Sequence, residues 1–93
     1  MKNISNVILE VIEKTMREKQ LELYEAEDGR GKYLAMDRDY NTRYKFDLSF
    51  SDSAFLCHTL VSGKDGMRLS HSVNIPWTDG KAIREFFDYL KSL

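Results

Sequence analysis

The sequence has few of the residues that metal sites, disulfides and reactive thiols require. Its 93 residues include one cysteine, Cys57, and two histidines, His58 and His71. A lone cysteine cannot form an internal disulfide, so a reducing, cytoplasmic compartment is expected. A zinc site normally needs three or four ligands, and these side chains can bring at most two together. We therefore expect no bound metal and no cofactor.

Glycine-rich and serine-based catalytic motifs are also missing. The five glycines fall in turns or at the start of the last helix, and none belongs to a loop that would hold a phosphate. No serine has the sequence context of a nucleophile elbow. Asp37 and Asp39 flank a turn, where carboxylates usually bond to backbone amides. The sequence therefore predicts no catalytic residues and a chain that is not an enzyme.

Neither an excess of one charge nor a long apolar run is present. Fourteen basic and fifteen acidic residues leave a formal charge of −1, without the positive excess that is typical of nucleic-acid-binding proteins. Residues 4–12 are apolar-rich, but they are too few to span a bilayer and include Glu10. With 42% hydrophobic residues, the composition is that of a globular protein. We expect one compact cytoplasmic domain over residues 1–93, with no membrane partner.

Two segments have the periodicity of amphipathic helices. The first runs from Asn3 to about Lys19, and its apolar residues recur at helical spacing: Ile4, Val7, Ile8, Val11, Ile12 and Met16. Thr78 or Asp79 can cap a second helix that ends at Leu93. Its apolar stripe consists of Ile83, Phe86, Phe87, Leu90 and Leu93. Each helix therefore has one side to bury.

Five strand-like runs lie between the two helices. They are Leu21–Glu27, Gly31–Asp37, Thr42–Phe50, Ala54–Val61 and Met67–Ile75. Their connections are short, which favours antiparallel neighbours over crossover connections. The sequence predicts an α+β fold, with an N-terminal helix, a five-stranded antiparallel meander and a C-terminal helix. We expect both helices on one face of the sheet.

Turn chemistry predicts the pairing of the first two strands. Asp28-Gly29 favours a two-residue hairpin, which would pair Leu23 with Leu34 and Leu21 with Met36. These four apolar residues would then share one face of the sheet.

The third strand alternates between apolar and polar residues. Its apolar positions are Tyr44, Phe46, Leu48 and Phe50. An odd-length connection, Asp39-Tyr40-Asn41, would keep Leu34 and Met36 on the face of Phe46, with Asn41 in the left-handed conformation.

The fourth strand is apolar on both faces. Ala54, Leu56 and Leu60 lie on one face, and Phe55, Cys57 and Val61 lie on the other. Such a strand needs cover on both sides, so either one helix crosses to the far face or an apolar surface stays open. A three-residue turn at residues 51–53 would turn Leu56 and Leu60 inward and leave Phe55 and Val61 on the open face.

The length of the loop around residues 63–66 decides where the histidines lie. With two or four loop residues, His58 falls opposite His71, whereas five residues would place Cys57 there. Either arrangement supplies too few ligands for zinc, so we expect the histidines to pack or to form local hydrogen bonds.

Basic residues accompany the predicted open face. Arg43 and Lys45 project from the third strand, and Arg68 projects from the fifth. Together with Phe55 and Val61, they would form a binding surface with an apolar centre and a basic rim. The sequence favours a non-enzymatic protein-binding module whose partner is another protein or a second copy of itself.

The layout from Lys32 to Leu93 resembles the single-stranded-DNA-binding domain of the PC4 coactivator: a basic four-stranded meander followed by an amphipathic helix. That resemblance implies the alternative hypothesis, a single-stranded nucleic-acid-binding protein. In size and general character the chain is also similar to small phage-encoded inhibitors such as anti-CRISPR proteins. This second resemblance implies a phage or mobile-element inhibitor of a host complex.

Overall fold

The computed structural model describes residues 4–27 and 31–93, except for the side chains of residues 4 and 5. Its elements are α1 (Ile4–Glu18), β1 (Glu22–Glu25), β2 (Lys32–Met36), β3 (Thr42–Phe50), β4 (Ala54–Gly63), β5 (Gly66–Pro76) and α2 (Gly80–Ser92). The sheet order is β1-β2-β3-β4-β5, and every pair is antiparallel. The predicted α+β fold is confirmed. Within the described ranges, no helix is long and apolar enough to cross a membrane.

Both helices pack on the same face of the sheet, which we call the inner face. The core joins Ile8 and Ile12 of α1 to Phe86 and Leu90 of α2. The buried apolar sheet residues beneath them are Ala35, Phe46, Leu48, Phe55, Cys57 and Ile75. The apolar sides predicted from helical periodicity are therefore the buried sides, except that Val7 of α1 is 37% exposed. Neither of the two described helices lies on the opposite, outer face of the sheet.

Local hydrogen bonds fix the ends of the helices. Asp79 caps α2 as predicted, because its carboxylate accepts a hydrogen bond from the Ala82 N–H at 3.0 Å. Lys19, just after α1, donates from Nζ to the backbone oxygens of Lys91 and Leu93 at 2.8 and 2.6 Å. A cation at the C-terminal end of α2 also suits the negative end of the helix dipole. These contacts hold the two helices together at one end of the sheet.

The register of β1 and β2 differs by one residue from the prediction. Leu23 lies opposite Ala35, and Tyr24 lies opposite Leu34. Ala35 is therefore the fully buried inner residue, while Leu34 points to the outer face with Met36. The prediction that Leu34 and Met36 share the face of Phe46 is wrong, because the apolar run of β2 suits either face. The predicted Asp28-Gly29 turn lies outside the described residues.

Tyr40 takes the left-handed position that was predicted for Asn41. The Tyr40 N–H donates to the Asp37 C=O and the Asp37 N–H donates to the Asn41 C=O, each at 3.0 Å. Residues 38–40 thus form the turn, and the φ angle of Tyr40 is 61°. The Asp37 carboxylate accepts the N–H groups of Asp39 and Asn41 at 2.9 and 3.0 Å. These bonds hold a conformation that a tyrosine rarely adopts.

The turn between β3 and β4 has two residues rather than the predicted three. The Ser51 N–H donates to the Ala54 C=O at 2.9 Å, which leaves residues 52–53 as the turn. The Ser51 hydroxyl also bonds to the Ala54 N–H at 3.2 Å. Phe50 then lies opposite Phe55. The predicted three-residue turn is therefore wrong, and the faces of β4 are reversed relative to the prediction.

Phe55 is buried by the chain itself. It is 1% exposed, and its ring centroid lies 5.5 Å from that of Phe86 in α2 and 5.0 Å from that of Trp77. The Trp77 Nε1 donates to the Ser51 C=O at 2.7 Å, which connects the end of β5 to the turn between β3 and β4. The prediction of an exposed Phe55 is wrong because burying this aromatic cluster removes more apolar surface than burying the aliphatic row would.

A bulge separates the two histidines. The β4–β5 loop has two residues, since Gly63 pairs with Gly66. Moving away from the loop, the register shifts by one residue beyond the Leu60–Leu69 pair. His58 then lies opposite Ser72, and His71 lies opposite Thr59. Because successive residues of a strand alternate between faces, the histidines point to opposite sides of the sheet. Neither His58 nor Cys57 lies opposite His71, so both predicted pairings are wrong.

Candidate binding surface

A single row of side chains crosses all five strands on the outer face. The strand registers bring Tyr24, Leu34, Lys45, Leu60 and Leu69 side by side, and we call this set the transverse row. With neighbouring strands about 4.8 Å apart, the row is about 19 Å long. Tyr24 and Leu69 at its ends are 42% and 56% exposed, and the three central residues are half-buried. The row is apolar except for Lys45 at its centre.

Further apolar side chains lie beside the transverse row. Met67 is 37% exposed close to Leu69, and Leu56 is half-buried on the outer face of β4. Both helices lie on the inner face, so nothing in the described part of the chain packs over these residues. Apolar side chains left uncovered together are typical of interaction surfaces.

A polar row runs beside the transverse row. It consists of Lys32, Asp47, His58 and Ser72, each opposite the next. The Ser72 hydroxyl lies 2.8 Å from His58 Nδ1.

Asp, His and Ser are the residue types of a catalytic triad, but this row does not assemble one. In a working triad the acid orients the base through a hydrogen bond. Backbone N–H groups must also be placed to stabilise the oxyanion. Among the described residues, no hydrogen bond joins Asp47 to His58, and Ser72 lies on an exposed strand surface. The polar row is therefore a polar surface beside an apolar one, with one hydrogen bond between Ser72 and His58.

The structure separates the five residues that the sequence predicts to bind. Phe55 is in the core, and Val61 is half-buried on the inner face opposite Arg68. Arg68 consequently does not lie beside Lys45. Arg43 has no partner on β2, because a bulge leaves it between paired neighbours. Of the predicted five, only Lys45 belongs to the transverse row.

Arg43 lies close to a turn carboxylate. Its guanidinium is 3.8 Å from the Asp37 carboxylate and 60% exposed. The N–H groups of Asn41 and Asp39 lower the pKa of Asp37, and the charge of Arg43 contributes. Arg43 and Asp37 thus form an exposed, weakly coupled pair at one end of the sheet.

The four apolar members of the transverse row were not predicted as surface residues: Tyr24, Leu34, Leu60 and Leu69. Leu34 was assigned to the core. Arg68 was assigned to the open face, so alternation along the fifth strand would place Leu69 on the opposite face. The usable signal was the absence of alternation in β2, where apolar residues occupy adjacent positions. Such a strand contributes apolar side chains to both faces.

Cys57 and His71 lie on the inner face, away from this surface. Burial raises the pKa of the Cys57 thiol to about 11, partly offset by the Thr59 hydroxyl. The thiol is therefore not a nucleophile at neutral pH. His71 stacks on Tyr89 with ring centroids 3.9 Å apart. No cluster of His, Cys, Asp or Glu within the described ranges could hold a metal ion.

Two shallow clefts lie where α1 ends beside the β2–β3 turn. Their volumes are about 380 and 370 Å³, and both include Gln20, Leu21, Asp37 and Arg38. Their linings carry both charge signs and remain open to water. They lack the enclosed apolar lining of small-molecule sites.

No known protein family, curated protein or solved structure matches this chain. The case for a function therefore depends on the chain's own surface.

Proposed function

We propose that this chain is a non-enzymatic protein-binding module that docks through the transverse row. The observation that carries the proposal is the row itself, in which Tyr24, Leu34, Leu60 and Leu69 line an open sheet face. Protein interfaces are built around an apolar centre with aromatic or arginine anchors. Tyr24 is an anchor of the aromatic kind, and the leucines supply the apolar centre.

Such a module would act by occupying a partner's surface. The polar row lacks the oriented base and oxyanion donors of a catalytic site among the described residues. Occupancy alone is enough to block a larger assembly, which is how a small phage or mobile-element inhibitor of a host complex would work. The cytoplasmic location is part of the same proposal.

The charges of the outer face favour a protein over a single-stranded nucleic acid. Single-strand binders combine a positive groove with several stacking aromatics. The transverse row holds one aromatic residue, Tyr24, and one cation, Lys45. Lys32 lies opposite Asp47, which offsets its charge, and Arg68 belongs to the other face.

The experiment compares two variants that remove an apolar side chain from different surfaces. Leu60→Gln changes the centre of the transverse row, and the control Val7→Gln changes an apolar residue of α1 that is 37% exposed. Each immobilised protein is offered to lysate of its native host, and the captured proteins are identified by mass spectrometry. The captured protein is then purified and titrated against wild type and both variants.

We expect a single captured protein that binds wild type and Val7→Gln equally and binds Leu60→Gln at least tenfold more weakly, a difference of about 1.4 kcal/mol. Equal binding by all three chains would contradict the proposal. Capture that nuclease treatment abolishes would favour the nucleic-acid alternative instead.

A further inference from the structure

The two edges of the sheet differ in their protection against further pairing. β1 is four residues long, and both of its glutamates, Glu22 and Glu25, are exposed. β5 is eleven residues long, and the sequence has no Lys, Arg, Asp or Glu from Leu69 to Thr78. Natural edge strands are usually kept apart by shortness, charge, proline or a bulge. β5 has Arg68, a bulge at Ser70 and Pro76, but none of these devices falls between His71 and Ile75.

One segment of β5 is regular and able to pair. The bulge lies at Ser70, because Leu69 pairs with Leu60 and His71 pairs with Thr59. From His71 to Ile75 every residue has a partner on β4. Alternate residues of such an edge direct their N–H and C=O groups away from the sheet. His71–Ile75 therefore presents a row of unpaired backbone groups.

The inner side of this segment is incompletely covered by α2. A cleft of about 240 Å³ lies between them, lined by His71, Val73, Ala82 and Glu85 among others. Val73 is half-buried in it. His71 Nδ1 is buried, and no hydrogen-bond partner for it lies within the described residues. The cleft leaves room for side chains of an added strand.

We propose that two copies of this chain pair antiparallel through His71–Ile75, around a two-fold axis at Val73. Val73 then lies opposite the partner's Val73, and Ser72 lies opposite the partner's Asn74. The segment is self-complementary in this register, because small polar residues meet on the outer face and valines meet on the inner face. This inference does not depend on the proposed function.

Closure of the sheet favours a second copy over an unrelated strand. Joining β5 to β5 leaves only the two short, acidic β1 edges, so growth stops at a dimer. Pairing β5 with the β1 edge of another copy would leave a β5 edge open each time and give an unending sheet. The two-fold dimer is therefore the arrangement that protects the long edge in a discrete particle.

A charge-swap experiment tests the dimer by sedimentation of the purified protein. An acidic variant carries Ser72→Asp with Asn74→Asp, and a basic variant carries lysine at the same two positions. In a dimer of either variant, like charges face each other in both Ser72–Asn74 pairs between the two copies. In a mixed dimer of the acidic and basic variants, unlike charges face each other. The matched control for the acidic variant, Ser49→Asp with Ser62→Asp, adds the same charge to exposed residues of β3 and β4.

We expect wild type and the control to sediment as dimers and each edge variant to dimerise at least tenfold more weakly. Mixing the acidic and basic variants should restore the dimer. A monomeric wild type at every soluble concentration would overturn the proposal. So would a dimer that both edge variants leave intact.

The register is tested by oxidising single-cysteine additions. Val73→Cys should form an intermolecular disulfide because the two thiols meet at the axis. Leu69→Cys should not, since its two copies would be about 25 Å apart along the paired strands. Equal crosslinking of both variants, or crosslinking only at position 69, would overturn the register. Both variants carry Cys57→Ala, because Cys57 lies opposite Val73 on β4 and would otherwise compete as an intramolecular partner for a thiol at position 73.

Discussion

Replacing Phe55 by alanine tests the assignment of the two faces of β4. The side chain is 1% exposed and contacts the rings of Phe86, Trp77 and Phe50, with centroid distances of 5.5, 5.0 and 6.4 Å. Removing a phenylalanine from such a core costs about 3–5 kcal/mol. A chain of this length is stable by about 5–14 kcal/mol in total. The variant should therefore lose a large part of its stability.

Urea unfolding measures the loss, with fluorescence of Trp77 as the signal. Leu56→Ala is the matched control, because Leu56 is adjacent in sequence, lies on the outer face and is half-buried. It should cost about 1–2 kcal/mol, since only part of its apolar surface is shielded from water. A loss below about 1 kcal/mol for Phe55→Ala, or a greater loss for Leu56→Ala, would show that the assigned faces are reversed.

Three further predictions concern the inner face and the β2–β3 turn. Cys57 should react with a thiol reagent only after unfolding in urea, because burial raises its pKa to about 11; rapid reaction of the folded chain would contradict this. The pKa of Asp37 is lowered in the folded state from 3.8, so its stabilising effect is complete above that pH and is lost as the pH falls through the folded value. Asp37→Asn should therefore lose stability relative to wild type at neutral pH and less so in acid, as urea titrations at several pH values would measure. Tyr40→Gly should raise the free energy of unfolding by about 1 kcal/mol, because glycine adopts positive φ without strain; a loss would show that the tyrosine ring makes a stabilising contact.

The arrangement of helices and strands could be predicted because each signal was local. Helical spacing identified the residues of α1 and α2 that are buried, and Asp79 was recognisable as a cap from its position before the helix. Short connections between the strands left an antiparallel meander as the economical topology. These features depend on residues close together in the chain.

The faces of β2 and β4 could not be predicted because they depend on one-residue details of register. A shift of one residue moves every side chain of a strand to the other face. The Ser51 hydroxyl and the Trp77 indole together favour the even turn before β4, and Trp77 is 26 residues away in sequence. The bulge at Ser70 likewise has no glycine to reveal it.

The candidate surface was predicted in kind but not in its residues. The two-sided character of β4 allowed either a helix on the far face or an open, partly apolar sheet face, and the structure has the open face. Its members changed because Phe55 turned inward and Leu60 turned outward. Only Lys45 remained from the predicted set, since its strand alternates clearly and needs no register information.

Methyl NMR of the isotope-labelled chain, titrated with its captured protein partner, tests the central claim most directly. Leu34, Leu60 and Leu69 report on the transverse row, and Leu90, a fully buried residue of α2, is the internal control. We expect the methyl signals of the three row leucines to shift on binding, while those of Leu90 stay unchanged. Shifts confined to residues of α1 and α2, with the row leucines unaffected, would contradict it.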